Sequence, residues 1–267
     1  MAGPKSRYIL ARDAPDSRDH LYSVRPAQRR TRLPQLVDLR RACPPVLNQG
    51  SIGTCTAHAV AAAYSFEQRV QNVRAITPSR LFIFYNERAL THQRSLHCVV
   101  RLRDAIKVIA RIGVCSESLW RYSENPRILR KKPPREAFLA AARRKVVSYQ
   151  RVPPDVHKPG VFLRRLKHCL ADGHPFVFGF TVYESFERDV KGKWKGGIMP
   201  IPNHKTEQSK GGHAVMAVGY DDRRKAVLIR NSWGPEWGMG GYFRMPYKLI
   251  AHPDFAYDFW TIRGVTG

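Results

Sequence analysis

The stretch Asn48-Gln49-Gly50-Ser51-Ile52-Gly53-Thr54-Cys55 is a glycine-punctuated loop that turns, without a breaker, into the alanine-rich helix former Thr56-Ala57-His58-Ala59-Val60-Ala61-Ala62-Ala63-Tyr64. Any fold this chain adopts therefore carries a cysteine on the first turn of a long helix. The unpaired N–H groups and the helix dipole there favour a thiolate over a thiol. Gln49, six residues upstream, can bring a side-chain amide back toward the same sulfur. Such a nucleophile needs a base. His58 shares the helix face at i+3, but a base on the nucleophile's own helix is cramped, so we read it as packing or pocket lining.

The rest of the chain divides by periodicity. Residues 37–40 alternate like a short strand. Helical patterns run from Cys55 to about Gln71, over 81–90 after the start signal Thr77-Pro78-Ser79, over 102–112 closed by Gly113, and over 135–144. After about Lys145 the period becomes two, with strands at 146–149, 176–182, 213–220, 226–230 and 241–245 around a helix at 161–171. Helices first and strands later argue an α+β fold, with a helical lobe (about 45–145) meeting a β lobe (about 146–250) at a cleft. These lie within a body spanning 37–267. Residues 1–36 are polar and rich in Arg and Pro, and read as an extension laid over that body.

The base emerges from the second half. If strands 213–220 and 226–231 pair about Asp222, residues whose numbers sum to 444 face each other, which sets His213 opposite Asn231. Asn231 can then bind one ring nitrogen, fixing the tautomer and leaving the other for a thiol.

Composition narrows the classes. Lys+Arg 46 against Asp+Glu 21 gives a formal charge of +25, which favours anionic partners by field rather than by fold. The charges are scattered and no RNA-binding signature or zinc-finger spacing accompanies them, so we expect only weak polyanion binding through a basic surface. Residues 1–15 contain no apolar core of a secretory signal and no run approaches membrane-spanning length, so no membrane partner is expected. Five cysteines (Cys43, Cys55, Cys98, Cys115 and Cys169), odd in number and widely spread, suit a reducing, cytoplasmic setting or the inside of a virus particle. Pairing among the four besides Cys55 stays open, as does the oligomeric state. His92, His97 and Cys98, like His168-Cys169, lack accepted zinc spacing; no metal and no cofactor are expected. Trp120 and Tyr122 read as core.

Three blocks together carry a resemblance: Gln49 with Cys55, Gly212-His213-Ala214-Val215, and Asn231-Ser232-Trp233-Gly234-Pro235-Glu236-Trp237-Gly238 followed by Gly240-Gly241-Tyr242-Phe243. In type and order they resemble the papain-like cysteine peptidases, and the early Asp13–Asp19 segment resembles the bacterial and viral branch. The resemblance implies a two-lobe fold with a helical left lobe and a β-barrel-like right lobe. It implies a peptide or protein substrate cleaved through a thioester. Carried over by position, Cys55 is the nucleophile, His213 the base, Asn231 its orienter, and Gln49 with the Cys55 N–H the oxyanion hole. Gly53, Gly212, Trp233 and Trp237 would bind substrate, Trp233 also shielding the His213–Asn231 contact.

The departures are Ile52 where the family usually has cysteine and Thr56 where it has an aromatic. The step of 158 residues from Cys55 to His213 also exceeds the usual span of about 130–150. Residues 1–36 do not read as the family's long helical propeptide, and we expect them to cross the cleft or to brace its back. Two other classes stay open: a polyanion-associated protein on this fold, and an acyl transferase.

Overall fold

Helix α1 (Cys55–Val70) is buried from its first residue through Gln68. Its run of alanines, with no bulk on any face, lets a helix lie between other elements rather than on the surface. The structure is a computed structural model, and it describes residues 8–24, 31–92, 98–188 and 194–267. Helix α2 (Arg80–Leu90) starts where its signal stands, with the Ser79 Oγ accepting from the Phe82 N–H at 3.1 Å. Helix α3 (Leu102–Arg111) turns Leu102, Ile106 and Ile109 inward, and Gly113 ends it with φ +95°, a conformation only glycine takes without strain. Two short helices, α4 (Pro126–Arg130) and α5 (Arg135–Ala141), complete this half; α5 stops three residues before the expected end.

The other half is built on one sheet: β1 (Leu36–Asp38), β2 (Val146–Arg151), β3 (Phe176–Tyr183), β4 (Ser209–Asp221), β5 (Ala226–Arg230), β6 (Tyr242–Pro246) and β7 (Ala256–Val265). Their order is β2-β7-β3-β4-β5-β6, with β1 on the far end of β4, and every pairing is antiparallel. β2 and β6 end the sheet, each met only by an isolated bridge (Leu21 on Arg151, Ile198 on Arg244), so the sheet is open rather than the barrel-like closure expected. β7 lies between β2 and β3, extending the β half to Val265, past the expected end near 250. Strand alternation is the signal that finds strands, and β7 has little of it because it is buried almost throughout.

The sheet separates two apolar clusters. On one face Val177, Met216 and Trp260 meet α1 and α3 through residues such as Val60 and Ile106. On the other, Phe176, Phe178 and Phe259 pack against Phe162 and Leu166 of helix α6 (Pro159–Ala171), with Phe178 stacked on Phe259 at 5.2 Å between centroids. Alternate residues of β3 thus serve opposite sides, as the pleat demands.

Candidate active site

Cys55 opens α1 and is 0% exposed. The backbone N–H groups of Ala214 on β4, of Thr56 and of Cys55 itself lower the thiol's pKa. These donors favour a thiolate, as the helix start implied. Burial outweighs them: with the nearby Glu87 carboxyl adding to it, the thiol is pushed up to about 12. Burial thus opposes what the helix start favours.

His213 immediately precedes Ala214, so β4 delivers both to the head of α1. Its Nε2 lies 2.8 Å from the Asn231 Oδ1. The contact expected from the hairpin is present, but the register is not the one expected. Met216 pairs with Arg230 and Ala217 with Ile229, then a bulge at Val218 shifts the ladder so that Gly219 pairs with Leu228. The turn is centred between Arg223 and Arg224, with Lys225 at φ +49°, rather than on Asp222. Near the site the shift is two residues, an even number, so His213 and Asn231 keep the same face and meet as diagonal neighbours.

The ring of His213 is enclosed by aromatic groups. Trp233 packs over it at 5.2 Å between centroids, Phe180 meets it edge-on at 5.8 Å and Tyr8 at 5.9 Å. Trp233 thus covers the His213–Asn231 pair. Trp237 lies one layer back, edge-on to Trp233 at 5.0 Å and buried among Phe186, Trp194 and Phe243, so it props Trp233 rather than lining an open surface.

Gln49 is fully buried, and its amide is held at both ends. Its Oε1 accepts from the Ser232 Oγ at 2.6 Å, and its Nε2 donates to the Ile52 carbonyl at 2.8 Å. One Nε2 proton has no acceptor among the described residues. Behind this loop, the Tyr122 hydroxyl donates to the Gln49 carbonyl at 2.7 Å and sits 2.8 Å from the Thr54 Oγ1. His58 Nδ1 approaches the Thr54 carbonyl at 2.9 Å. The side chain that competed with His213 in the sequence is thus fixed under the loop, as pocket lining.

A stretch of the N-terminal extension lies across the site. The Leu10 N–H donates to the Gly212 carbonyl at 3.3 Å and the Ala11 N–H to the Val100 carbonyl at 2.9 Å, which ties the β half to the helical half. The Ile9 side chain occupies the space a Cβ on Gly53 would need, and the Leu10 carbonyl occupies that of a Cβ on Gly212. Tyr8 reaches past His213 and donates to the Glu187 Oε1 at 2.6 Å.

Several participants were not legible in the sequence. Ser232 is one; its adjacency to Asn231 was the available signal. Tyr122 read as core because an aromatic in a polar stretch gives no hint of a hydroxyl's partner. Glu87 is fully buried and accepts from the Thr56 Oγ1 at 2.7 Å, a pairing of two separate helices that no spacing reveals. All five cysteines are free and buried, so none is bridged. No group of three or more His, Cys, Asp or Glu suited to a metal occurs among the described residues.

Comparison with known proteins gives consistent findings. The family profile described as papain family cysteine protease matches residues 33–252. A peptidase C1-like protein of Acanthamoeba polyphaga mimivirus is 43% identical over 239 residues, covering 88% of this chain and 74% of its own. The crystal structure of xylellain, a cysteine protease from Xylella fastidiosa, superposes with a TM-score of 0.85 at 39% identity, covering 98% of both chains. Chymopapain of Carica papaya is 26% identical over 224 residues, which is 80% of this chain and 55% of that one.

Proposed function

The chain belongs to the papain family of cysteine proteases and is a cysteine peptidase, and from that premise we propose that Cys55 is its nucleophile, His213 its base and then its acid, and Asn231 the group that orients the imidazole. One observation carries the assignment: Asn231 holds His213 at 2.8 Å, and His213 immediately precedes Ala214, whose N–H lowers the pKa of the Cys55 thiol. Because Nε2 is engaged by Asn231, proton exchange with the thiol runs through Nδ1.

The thiol gives its proton to His213, and the sulfur forms a bond to the carbonyl carbon of a peptide while the carbonyl electron pair moves to oxygen. The uncommitted Nε2 proton of Gln49 and the Cys55 N–H are the donors for that oxyanion, each worth about 3–4 kcal/mol in comparable sites. Collapse of the intermediate expels the amine, which takes its proton from His213. Water, deprotonated by His213, then releases the acid from the thioester. Gly53, Gly212 and Trp233 form the adjoining walls for the substrate backbone, with Trp237 behind. Tyr8, Ile9 and Leu10 lie against those walls, which supports a closed state in which the extension limits access. The five unbridged cysteines support a reducing setting, and the +25 charge supports weak polyanion binding through field alone.

The test is turnover of a peptide library by the full chain. Cys55→Ala and His213→Ala should each lose nearly all activity while the fold is kept, and the double variant should lose no more than either single one, since the two act as a unit. Robust turnover by either variant would remove the assignment, and transfer of the acyl group to an amine in preference to water would make the reaction acyl transfer rather than hydrolysis.

A further inference from the structure

A cavity of about 220 Å³ opens beside α1, between the loop that precedes the nucleophile and the segment that leads into α2. Its depth is formed by His58, Ser65, Arg80, Arg230 and Asn231, and Arg69 stands at its mouth. No Asp or Glu contributes to the lining. Arg80 is paired with Glu117 at 2.6 Å. Arg230 spends its guanidinium on the Pro44 and Pro45 carbonyls and the Tyr242 hydroxyl, and Arg69 donates to the Cys43 carbonyl. Neither Arg69 nor Arg230 has a carboxylate at ion-pair distance among the described residues. Two positive charges are therefore left without a counter-ion around a small enclosed space.

Three polar atoms of the lining side chains are buried and have no hydrogen-bond partner among the described residues: His58 Nε2, Arg80 Nε and Asn231 Nδ2. The residues that bear them are only 5%, 6% and 3% exposed. Groups this deeply buried are normally satisfied, so three around one cavity call for an occupant. Their polarities are not alike. Arg80 Nε and Asn231 Nδ2 are donors. His58 donates from Nδ1 to the Thr54 carbonyl, so in the neutral ring Nε2 is an acceptor. The ring is neutral: burial first, then the charges of Arg80 and Arg230, push it down to about 3, although the Thr54 and Asn48 carbonyls favour its proton.

We propose that this cavity is a binding site for a compact oxyanion that still carries a proton, of the hydrogen-phosphate type. Its bare oxygens take the Arg80 and Asn231 donors and neutralise the Arg69 and Arg230 charges. Its hydroxyl donates to His58 Nε2. A fully deprotonated tetrahedral anion such as sulfate fills the donors equally well but sets a lone pair against Nε2, and an apolar ligand leaves all three atoms unpaired. The volume lies below that of ordinary drug-sized pockets, which restricts the ligand to inorganic phosphate or the phosphoryl head of a small monoester. The site reaches the catalytic machinery through one residue: Asn231 lines the cavity while its Oδ1 holds His213.

Titration calorimetry on the full chain, carried as Cys55→Ala to prevent self-digestion, tests the site with inorganic phosphate, glycerol phosphate and sulfate at pH 6.5. Phosphate or glycerol phosphate should bind saturably, sulfate at least tenfold more weakly, and the tighter of the two phosphates identifies the source. Arg80→Gln should weaken phosphate binding tenfold or more. Arg69→Gln, at the exposed mouth, gives the same readout should the first variant fold poorly. Phosphate should also move the imidazole nitrogen resonances of His58. No saturable phosphate binding, equal binding of sulfate, or binding indifferent to both arginine variants would overturn the proposal.

Discussion

Thr56 stands where the papain-like pattern has an aromatic, and the structure shows what takes up the freed space: its hydroxyl bonds a carboxyl, Glu87, carried on α2. Burial pushes Glu87 up to about 8, the Thr56 bond opposing and the Asp104 charge adding to the rise. A carboxyl whose folded value lies above its unfolded one binds more protons in the folded state. Its contribution is complete below the unfolded value and is lost as pH rises through about 8. Stability should therefore fall by up to about 1.4 kcal/mol per pH unit across that window. Glu87→Gln keeps an acceptor for Thr56 and should flatten the fall, measured as thermal midpoint against pH; a wild-type slope unchanged by the substitution would place the titrating group elsewhere. Ionised Glu87 also disfavours the Cys55 thiolate, so the variant should alkylate faster above pH 8. Gln49 makes a separate case. Gln49→Ala should lower kcat by about 10²–10³-fold with a smaller change in KM. Ser232→Ala, which frees only the far end of that amide, should cost less. An unchanged kcat in Gln49→Ala would place Gln49 outside the oxyanion hole.

At the scale of elements, whatever depends on local chemistry was legible. The start of α1 at Cys55, the Ser79 cap and the Gly113 stop follow from helix signals a few residues long. Ser79→Ala should cost about 1 kcal/mol through loss of the cap, read by denaturant midpoint, and more because the part-buried Trp120 carbonyl also loses its 2.5 Å donor. No change in midpoint would show the cap to be redundant. Register was less legible. The bulge at Val218 and the displaced turn cannot be read from alternation, and the His213–Asn231 inference survived because an even shift preserves the face. β7 stayed hidden because a strand buried on both faces loses its period. Chain-distant pairings such as Ser232–Gln49 and Thr56–Glu87, which decide the chemistry around Cys55, have no local signature at all.

On the scale of the whole molecule, the described part of the extension packs in two ways, against both halves in one stretch and over Gly53, Gly212 and His213 in another. Asp13 is buried where its N–H reaches the Asp258 carboxylate at 2.6 Å and its own carboxylate takes the Trp260 Nε1–H at 2.9 Å. Asp19 pairs with Arg103 at 2.6 Å and with Arg151 at 3.3 Å, and Arg151 also holds Asp258. These partners come from α3, β2 and β7, so this part fastens the two halves together. Removing all of 1–33 would expose that network and cost stability. Residues 8–11, outside it, are the ones that lie over Gly53, Gly212 and His213. Deleting only residues 1–11 should therefore raise kcat/KM on small peptides severalfold, at a smaller cost in thermal midpoint than removal of 1–33. It should also lower the pH needed to alkylate Cys55, because uncovering the sulfur removes burial, the main cause that holds it as a thiol. The fastening itself is pH-sensitive. Burial raises both Asp13 and Asp258; the Asp13 charge adds to the rise of Asp258, while the Trp260 hydrogen bond and the Arg103 and Arg151 charges oppose that of Asp13. With folded values above unfolded ones, the clamp is strongest at acidic pH and weakens as pH climbs past the ordinary carboxylate range. The full chain should gain activity relative to the truncated one over that rise, and Asp258→Asn should flatten the gain. Identical kinetics for full-length and truncated enzymes at every pH, with both folded, would show that residues 8–11 do not limit access to Cys55.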